Sequence, residues 1–515
     1  MAYQSILFAQ KTPDEINQDS DFLKDLNINQ IIKDMLGGKA EYKLESFFHM
    51  PLENTEDALY RQEIVRELEN QELFQSFVQF GNEMRDIRKI IADISNLYYI
   101  KTKERCLLEA ASLYCESVEN LHQFLNNNRP KATGLSMFFV YLTDYVGSEN
   151  FIHLKHKISE IITSLDSVHY SLHIKGNRID VQRYNGSANY STEIQEFFNK
   201  FRQGEVPVYQ YKFKERDLNH VEANIIDLVA KLYPDTFNHL HNFAEENGDF
   251  ILPAIQQFDR EIQFYVSWLE YIKPMKQHGL KFCIPELSDS DKNIFGDNCF
   301  DLALAANLIY TEQAIVCNQF CLNGKERMII VTGPNQGGKT TFARMIGQLH
   351  YFASLGLPVP GIKAKLFLPD TIYTHFERQE SQATLSGKLQ DDVIRIHEVI
   401  TRASPYSLII INEMFASTTL QDAVWLGEKV MAQISDLDAL CVYVTFLEEL
   451  STFNDKTVSM VSTVGPDSQA RTYKIIRKPA DGRAYATSIA QKYGLTYEEI
   501  VERIDRADER ISSFS

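Results

Sequence analysis

Apolar residues along this chain recur first at helical spacing, then at alternate positions, then at helical spacing again, and finally in short unbroken runs. From residue 15 to about 165 the period is helical. Asn54 or Thr55 is placed to cap a helix in which Leu59, Ile64, Val65 and Leu68 recur, and Phe74, Phe77, Val78, Met84, Ile87, Ile90, Ile91 and Ile94 continue the repeat. The breaks are Gly37-Gly38, Pro51 and residues 126–130. Such a stripe predicts a helix-bundle core rather than a cofactor box. At Tyr170 the period falls to two. Residues 171–180 alternate across Lys175-Gly176-Asn177-Arg178, and 181–184 close a predicted β-hairpin. A short helix over 193–201 and a strand over 206–214 are expected next. The helical repeat resumes from 221 to about 273, and residues 283–300, with Pro285, an Asp/Ser cluster and Gly296, read as a passage into the next domain.

Two apolar runs then carry the chemistry. The first, 328–331, predicts a buried strand and leads into Gly333-x4-Gly338-Lys339-Thr340, the pattern of a phosphate-binding P-loop. Glycines let the loop backbone curl so that its N–H groups converge on phosphate oxygens. Lys339 is placed to reach the β- and γ-phosphates, and the Thr340 hydroxyl to ligate Mg²⁺. Phe342, Met345, Ile346, Leu349 and Phe352 then predict a helix whose N-terminus faces the phosphates. The second run, 408–411, ends in Asn412-Glu413, where a Walker B motif belongs. Glu413 is the candidate that accepts the proton of an attacking water. Asn412 keeps an oxygen acceptor but not the negative charge of an aspartate.

Composition bounds what else the chain can be. It has 515 residues, 44% of them hydrophobic and 24% charged, as ordinary globular proteins do, enough for three or four domains. No apolar run reaches bilayer length, so no membrane association is expected, and a cytoplasmic location is. The seven cysteines fit buried thiols in a reducing compartment, and the Cys317/Cys321 spacing reads as core packing before zinc. A formal net charge of −18 argues against a general nucleic-acid coat protein and restricts any DNA contact to a local basic patch. Residues 175–217 supply a slight one: eight basic residues against six acidic, interleaved with Tyr184, Tyr190, Tyr209 and Tyr211. That mixture suits a surface gripping a nucleic-acid backbone, although an ordinary solvated β-subdomain would also account for it.

Together these stretches resemble the MutS family, the ATPases of DNA mismatch repair and their relatives. Gly333-Pro-Asn-Gln-Gly-Gly-Lys-Thr-Thr341 nearly repeats the family loop Gly-Pro-Asn-Met-Gly-Gly-Lys-Ser-Thr. Phe342-Ala-Arg344, Leu357-Pro-Val-Pro-Gly361, the spacing from Glu413 to Asp422, and Tyr493-Gly-Leu495 with the helix expected over 498–503 are similar too. The likeness spans roughly residues 301–503. It implies a multidomain architecture: an all-α core and outgoing lever over 1–168, a small β-containing clamp-like insertion over 169–220, returning lever helices over 221–282, and an α/β P-loop, ABC-type ATPase domain over 283–515. Three features depart from the family pattern: Asn412 for the usual aspartate, Thr445-Phe446 for Thr-His, and helices that begin almost at once, so that a separate N-terminal mismatch-recognition domain is not expected.

The resemblance implies a homodimer in which Gly333, Pro334, Asn335, Gln336, Gly337, Gly338, Lys339, Thr340 and Thr341 hold ATP. The candidate signature loop Leu385-Ser386-Gly387-Lys388, through Ser386 and Gly387, completes the partner's site. Thr340 and Asn412 would hold Mg²⁺, Glu413 would align water, and Lys339 would stabilise charge on the phosphoryl group. The implied function is ATP-dependent DNA binding, with slow hydrolysis gating a clamp on mismatched or structured DNA. The alternative is a nucleotide-gated scaffold with negligible hydrolysis and a protein partner. A small-molecule P-loop kinase is disfavoured by the long helical half and the Asn412-Glu413 pair.

Overall fold

The computed structural model describes residues 5–9, 21–52, 54–186, 218–311, 313–378, 387–464 and 471–480, with 496, 497, 500, 501 and 503. The chain divides into two compact units. One comprises Met1–Ser5, Asn70–Lys131 and Leu135–Ile262; the other comprises Ile6–Glu69, Ala132–Gly134 and Gln263–Ser515. The 1–168 span of the sequence reading is therefore shared between them.

The first unit is helical. Gln71–Ile94 begins where the Asn70 side chain accepts from the amides of Glu72 and Leu73, and Ile100–Asn127 is the longest helix described. Phe74, Phe77, Met84 and Ile87 are buried at the expected spacing, Phe80 is buried with them, and the Phe138 ring stacks on Phe258 with Phe77 and Phe80 beside it. Such aromatic contacts dominate core energetics. The hairpin forms as the alternation predicts. Tyr170–Lys175 (β1) and Arg178–Arg183 (β2) pair in antiparallel register around a two-residue turn whose Gly176 has φ of 59°. Two of its cations are already engaged: Arg178 pairs with Asp180 at 3.0 Å, and Arg183 donates to the Leu232 carbonyl and lies over the Tyr233 ring. The helix and strand expected over 193–201 and 206–214, with Tyr190, Tyr209 and Tyr211, lie outside the described residues. Asn219 and Glu222 then form a reciprocal capping box for the helix His220–Leu232, followed by Pro234–Glu246 and by Pro253–Gln277, whose residues from Gln263 onward belong to the second unit.

In the second unit, residues 283–300 are more than a passage. Phe282–Cys283 (β3) pairs with Val359–Pro360 (β8), while Glu286–Ser288 (β4), Ile294–Cys299 (β5), Asn318–Leu322 (β6) and Lys363–Phe367 (β9) make a four-stranded sheet. Met328–Thr332 (β7), Ile372–Phe376 (β10), Leu408–Asn412 (β11), Leu440–Val444 (β12), Thr457–Val464 (β13) and Arg471–Arg477 (β14) form a separate six-stranded sheet. Its order is β10-β11-β12-β7-β13-β14, parallel except for the antiparallel edge strand β14. β7, β11 and β12 are buried at every position, which is why they read as unbroken apolar runs.

The N-terminal segment joins this unit through specific contacts. The fully buried Arg61 donates to the carbonyls of Leu7 and Leu355 and stacks against Phe8 and Phe264, while Gln348 donates to Leu26 O and Arg344 to Asp25 O. Among the described residues no helix is long and apolar enough to cross a membrane.

Candidate nucleotide-binding site

The loop 333–338 leaves the C-terminal end of β7 and feeds the helix Lys339–Ser354. Each glycine answers a steric demand. Gly333 and Gly338 have φ of 121° and 86°, and a Cβ at Gly337 would lie 2.3 Å from Ser462 Oγ and 2.9 Å from Pro334 O. Gln336 also has positive φ and, with Asn335, is exposed at the loop tip. Gly338 occupies the N-cap without a side-chain hydrogen bond, so no cap competes for the first-turn amides, which carry the partial positive end of the helix.

Lys339 is buried in that first turn. Its Nζ donates to Gly333 O at 2.9 Å and Pro334 O at 3.2 Å, lies 3.9 Å from Glu413 Oε1, and sits 4.4 Å from the centroid of the Phe446 ring. Burial pulls the ammonium below the usual lysine range, with Glu413 opposing the shift and Arg471 adding to it. Thr340 Oγ1 donates to Asn412 Oδ1 at 2.8 Å, and Asn412 ends β11. Glu413 follows with φ of 56°, an uncommon conformation for a residue with a side chain, and Phe415 repeats it at 64°. Burial pushes the Glu413 carboxyl up; Lys339 pulls it down and Glu377 pushes it further up.

The structure thus gathers Gly333, Gly337, Gly338, Lys339, Thr340, Asn412 and Glu413, residues up to 80 positions apart, at the carboxyl ends of parallel strands. Thr341 is half-buried in the first helical turn. Ser386 lies outside the described residues. Gly387 is the N-cap of the helix Lys388–Arg402, and Lys388 pairs with Glu377, the residue whose charge reaches Glu413.

Four neighbours of the site had not been assigned a place in it from the sequence. Ser462 Oγ donates to Gly337 O at 2.7 Å, Tyr473 packs 3.6 Å from a Cβ built on Gly338, Arg471 acts on Lys339 by its charge, and Glu377 acts on Glu413. None follows a motif; only the sheet order β7-β13-β14 brings the first three to the loop. Phe446, noted as a departure from Thr-His, turns out to cover Lys339. The seven cysteines are free thiols, four of them buried, and Cys317 and Cys321 lie half-buried on and beside β6.

Residues 329–512 match the family model for MutS domain V. The chain is 28% identical over 197 residues to Endonuclease MutS2 of Thermus thermophilus, covering 37% of this chain and 26% of that protein. It is 29% identical over 210 residues to Endonuclease MutS2 of Gemmatimonas aurantiaca, covering 40% and 25%. It is 27% identical over 201 residues to the DNA mismatch repair protein MutS of Streptococcus suis, covering 38% and 24%. The matched part thus spans about a quarter of the length of these curated relatives.

Proposed function

On the premise that this chain belongs to the MutS family through its C-terminal part, we propose that it binds ATP with Mg²⁺, hydrolyses it slowly, and uses the cycle to gate its hold on DNA. One observation carries the ATP reading: Lys339, Thr340, Asn412 and Glu413 converge at the carboxyl ends of β7 and β11, where open α/β sheets hold ligands. First-turn amides free of a side-chain cap, with a buried ammonium beside them, suit a phosphate chain.

Mg²⁺ fits the residues present. The Thr340 hydroxyl and Asn412 amide oxygens are hard donors already within 2.8 Å of one another, and they would hold the ion directly or through water. When bound it would neutralise charge on the phosphates. Lys339 stabilises charge on the transferring group, and Glu413 orients water and takes its proton. Neutral Asn412 gives the ion less charge than an aspartate would, which supports slow turnover. The DNA reading draws on the family relationship and on the hairpin turn, where Lys175 and Arg178 are exposed. A homodimer completed by the 385–388 loop of a second copy belongs to the same proposal.

The uncharged Asn412 beside the Thr340 hydroxyl and the Phe446 ring over Lys339 favour a second reading, in which ATP is bound and retained and the partner is a protein. Single-turnover assays with Mg²⁺ separate the two. The ATPase reading predicts conversion of bound ATP to ADP, slowed in Glu413→Gln and abolished in Lys339→Ala. Bound ATP returned intact supports the scaffold, and an unchanged rate in Glu413→Gln contradicts the role given to Glu413.

A further inference from the structure

The inference concerns regulation of the nucleotide site and rests on that reading of it. An ammonium has three N–H donors. Two of the Lys339 donors face carbonyls of its own loop, Gly333 O and Pro334 O, while Glu413 and the Phe446 ring stand over the rest of the group. The ammonium therefore donates to the carbonyls of the loop it would serve and has a carboxylate and an aromatic ring beside it.

Phe446 is held at this position by its neighbours. The Thr445 amide donates to Val331 O at 3.0 Å, extending the β12–β7 pairing, and the Leu447 amide donates to Thr445 Oγ1 at 3.0 Å. Both flanks are fixed, yet the ring is 45% exposed. A large aromatic side chain left so exposed contributes little to a core, and the buried Lys339 ammonium lies 4.4 Å from its ring centroid, within the range in which an aromatic face attracts a cation.

We propose that Phe446 is a latch on Lys339, holding the ammonium against its own loop so that part of the binding energy of the β- and γ-phosphates goes into releasing it. Phe446 is in this sense a positioning residue acting through Lys339. Because a ligand shifts a two-state element only by its differential affinity for the two states, the latch weakens those nucleotides that recruit Lys339 and leaves others untouched. AMP, which lacks the β- and γ-phosphates, does not need the ammonium released.

The test is calorimetric titration of the full chain with ATP and with AMP, both with Mg²⁺, for the wild type, Phe446→Leu, Phe446→Trp, Lys339→Ala and the Lys339→Ala/Phe446→Leu double variant. Leucine keeps apolar bulk without the ring, whereas tryptophan offers a stronger face. Phe446→Leu is expected to tighten ATP by about fivefold, Phe446→Trp to weaken it, and AMP to be indifferent to both. In the Lys339→Ala background Phe446→Leu is expected to change nothing, which a merely structural role would not produce. ATP affinity unchanged or weakened in Phe446→Leu, or the same gain without Lys339, overturns the latch while the site stands. A wild-type chain that binds no ATP refutes the site itself.

Discussion

An alanine at position 337 tests whether the loop works by backbone geometry. Its Cβ would lie 2.3 Å from Ser462 Oγ, 2.9 Å from Pro334 O and 3.2 Å from Ser462 Cβ. Ser462 is fully buried and its hydroxyl is committed to Gly337 O, so it has no open space to turn into. Pro334 O accepts from both Gly337 N and Lys339 Nζ, so any loop movement that relieves the clash displaces the ammonium. Overpacking of this kind costs about 1–3 kcal/mol, and at 1.4 kcal/mol per decade it weakens ATP by about 5- to 150-fold if the loop absorbs it. The six-stranded sheet need not rearrange, so the melting temperature without nucleotide should fall only slightly. Calorimetric titration with ATP and thermal melting measure the two effects. Adding Ser462→Gly removes two of the three contacts but leaves the Pro334 carbonyl, so recovery should be partial. A Gly337→Ala chain that binds ATP as tightly as the wild type would refute the reasoning.

Further predictions concern charge. Because the Glu413 carboxyl is raised by burial and by Glu377, a base at this position loses its ionised form while pH is still above the ordinary carboxylate range. The acidic limb of the kcat/KM profile should therefore lie above that range, and Glu377→Gln should move it to lower pH. Asp438 accepts from Lys292, Arg327 and Lys456, which hold its carboxyl well below the usual range. Its stabilisation is present above the unfolded carboxylate value and is lost as pH falls through the depressed one. Since the side chain is 37% exposed, solvent screening limits Asp438→Asn to a loss of about 1 kcal/mol, smaller in high salt, as denaturant titration should record. Arg61→Met removes the buried guanidinium bonds to the Leu7 and Leu355 carbonyls and should cost about 3 kcal/mol of stability by the same titration.

The sequence made legible those features in which local pattern and chemistry coincide. β7 and β11 are unbroken apolar runs because both faces of a parallel strand are covered, and the glycines between β7 and its helix mark backbone conformations that side chains resist. The hairpin was equally readable from its alternation and the Gly176-Asn177 turn. What escaped depended on distant pairing. Nothing in the alternating residues of β13 says that Ser462 will touch Gly337, 125 positions earlier, and nothing around Tyr473 or Arg471 points to the loop. Strands β3, β4 and β5 were hidden because two to six residues among proline, aspartate and serine resemble a linker until a partner strand is known. The attachment of residues 6–69 to the second unit rests on side-chain-to-carbonyl bonds such as those of Arg61 and Gln348, which carry no periodic signal.

The most direct test of the central claim is the steady-state ATPase rate of the full chain with homoduplex, mismatched, four-way-junction and single-stranded DNA, at low and physiological salt, with Lys339→Ala as control. The account predicts that a mismatched or otherwise structured DNA changes turnover or is retained with ATP, and that the effect disappears in Lys339→Ala. ATP binding that is indifferent to every DNA would contradict the DNA-gating claim and transfer the function to a protein partner.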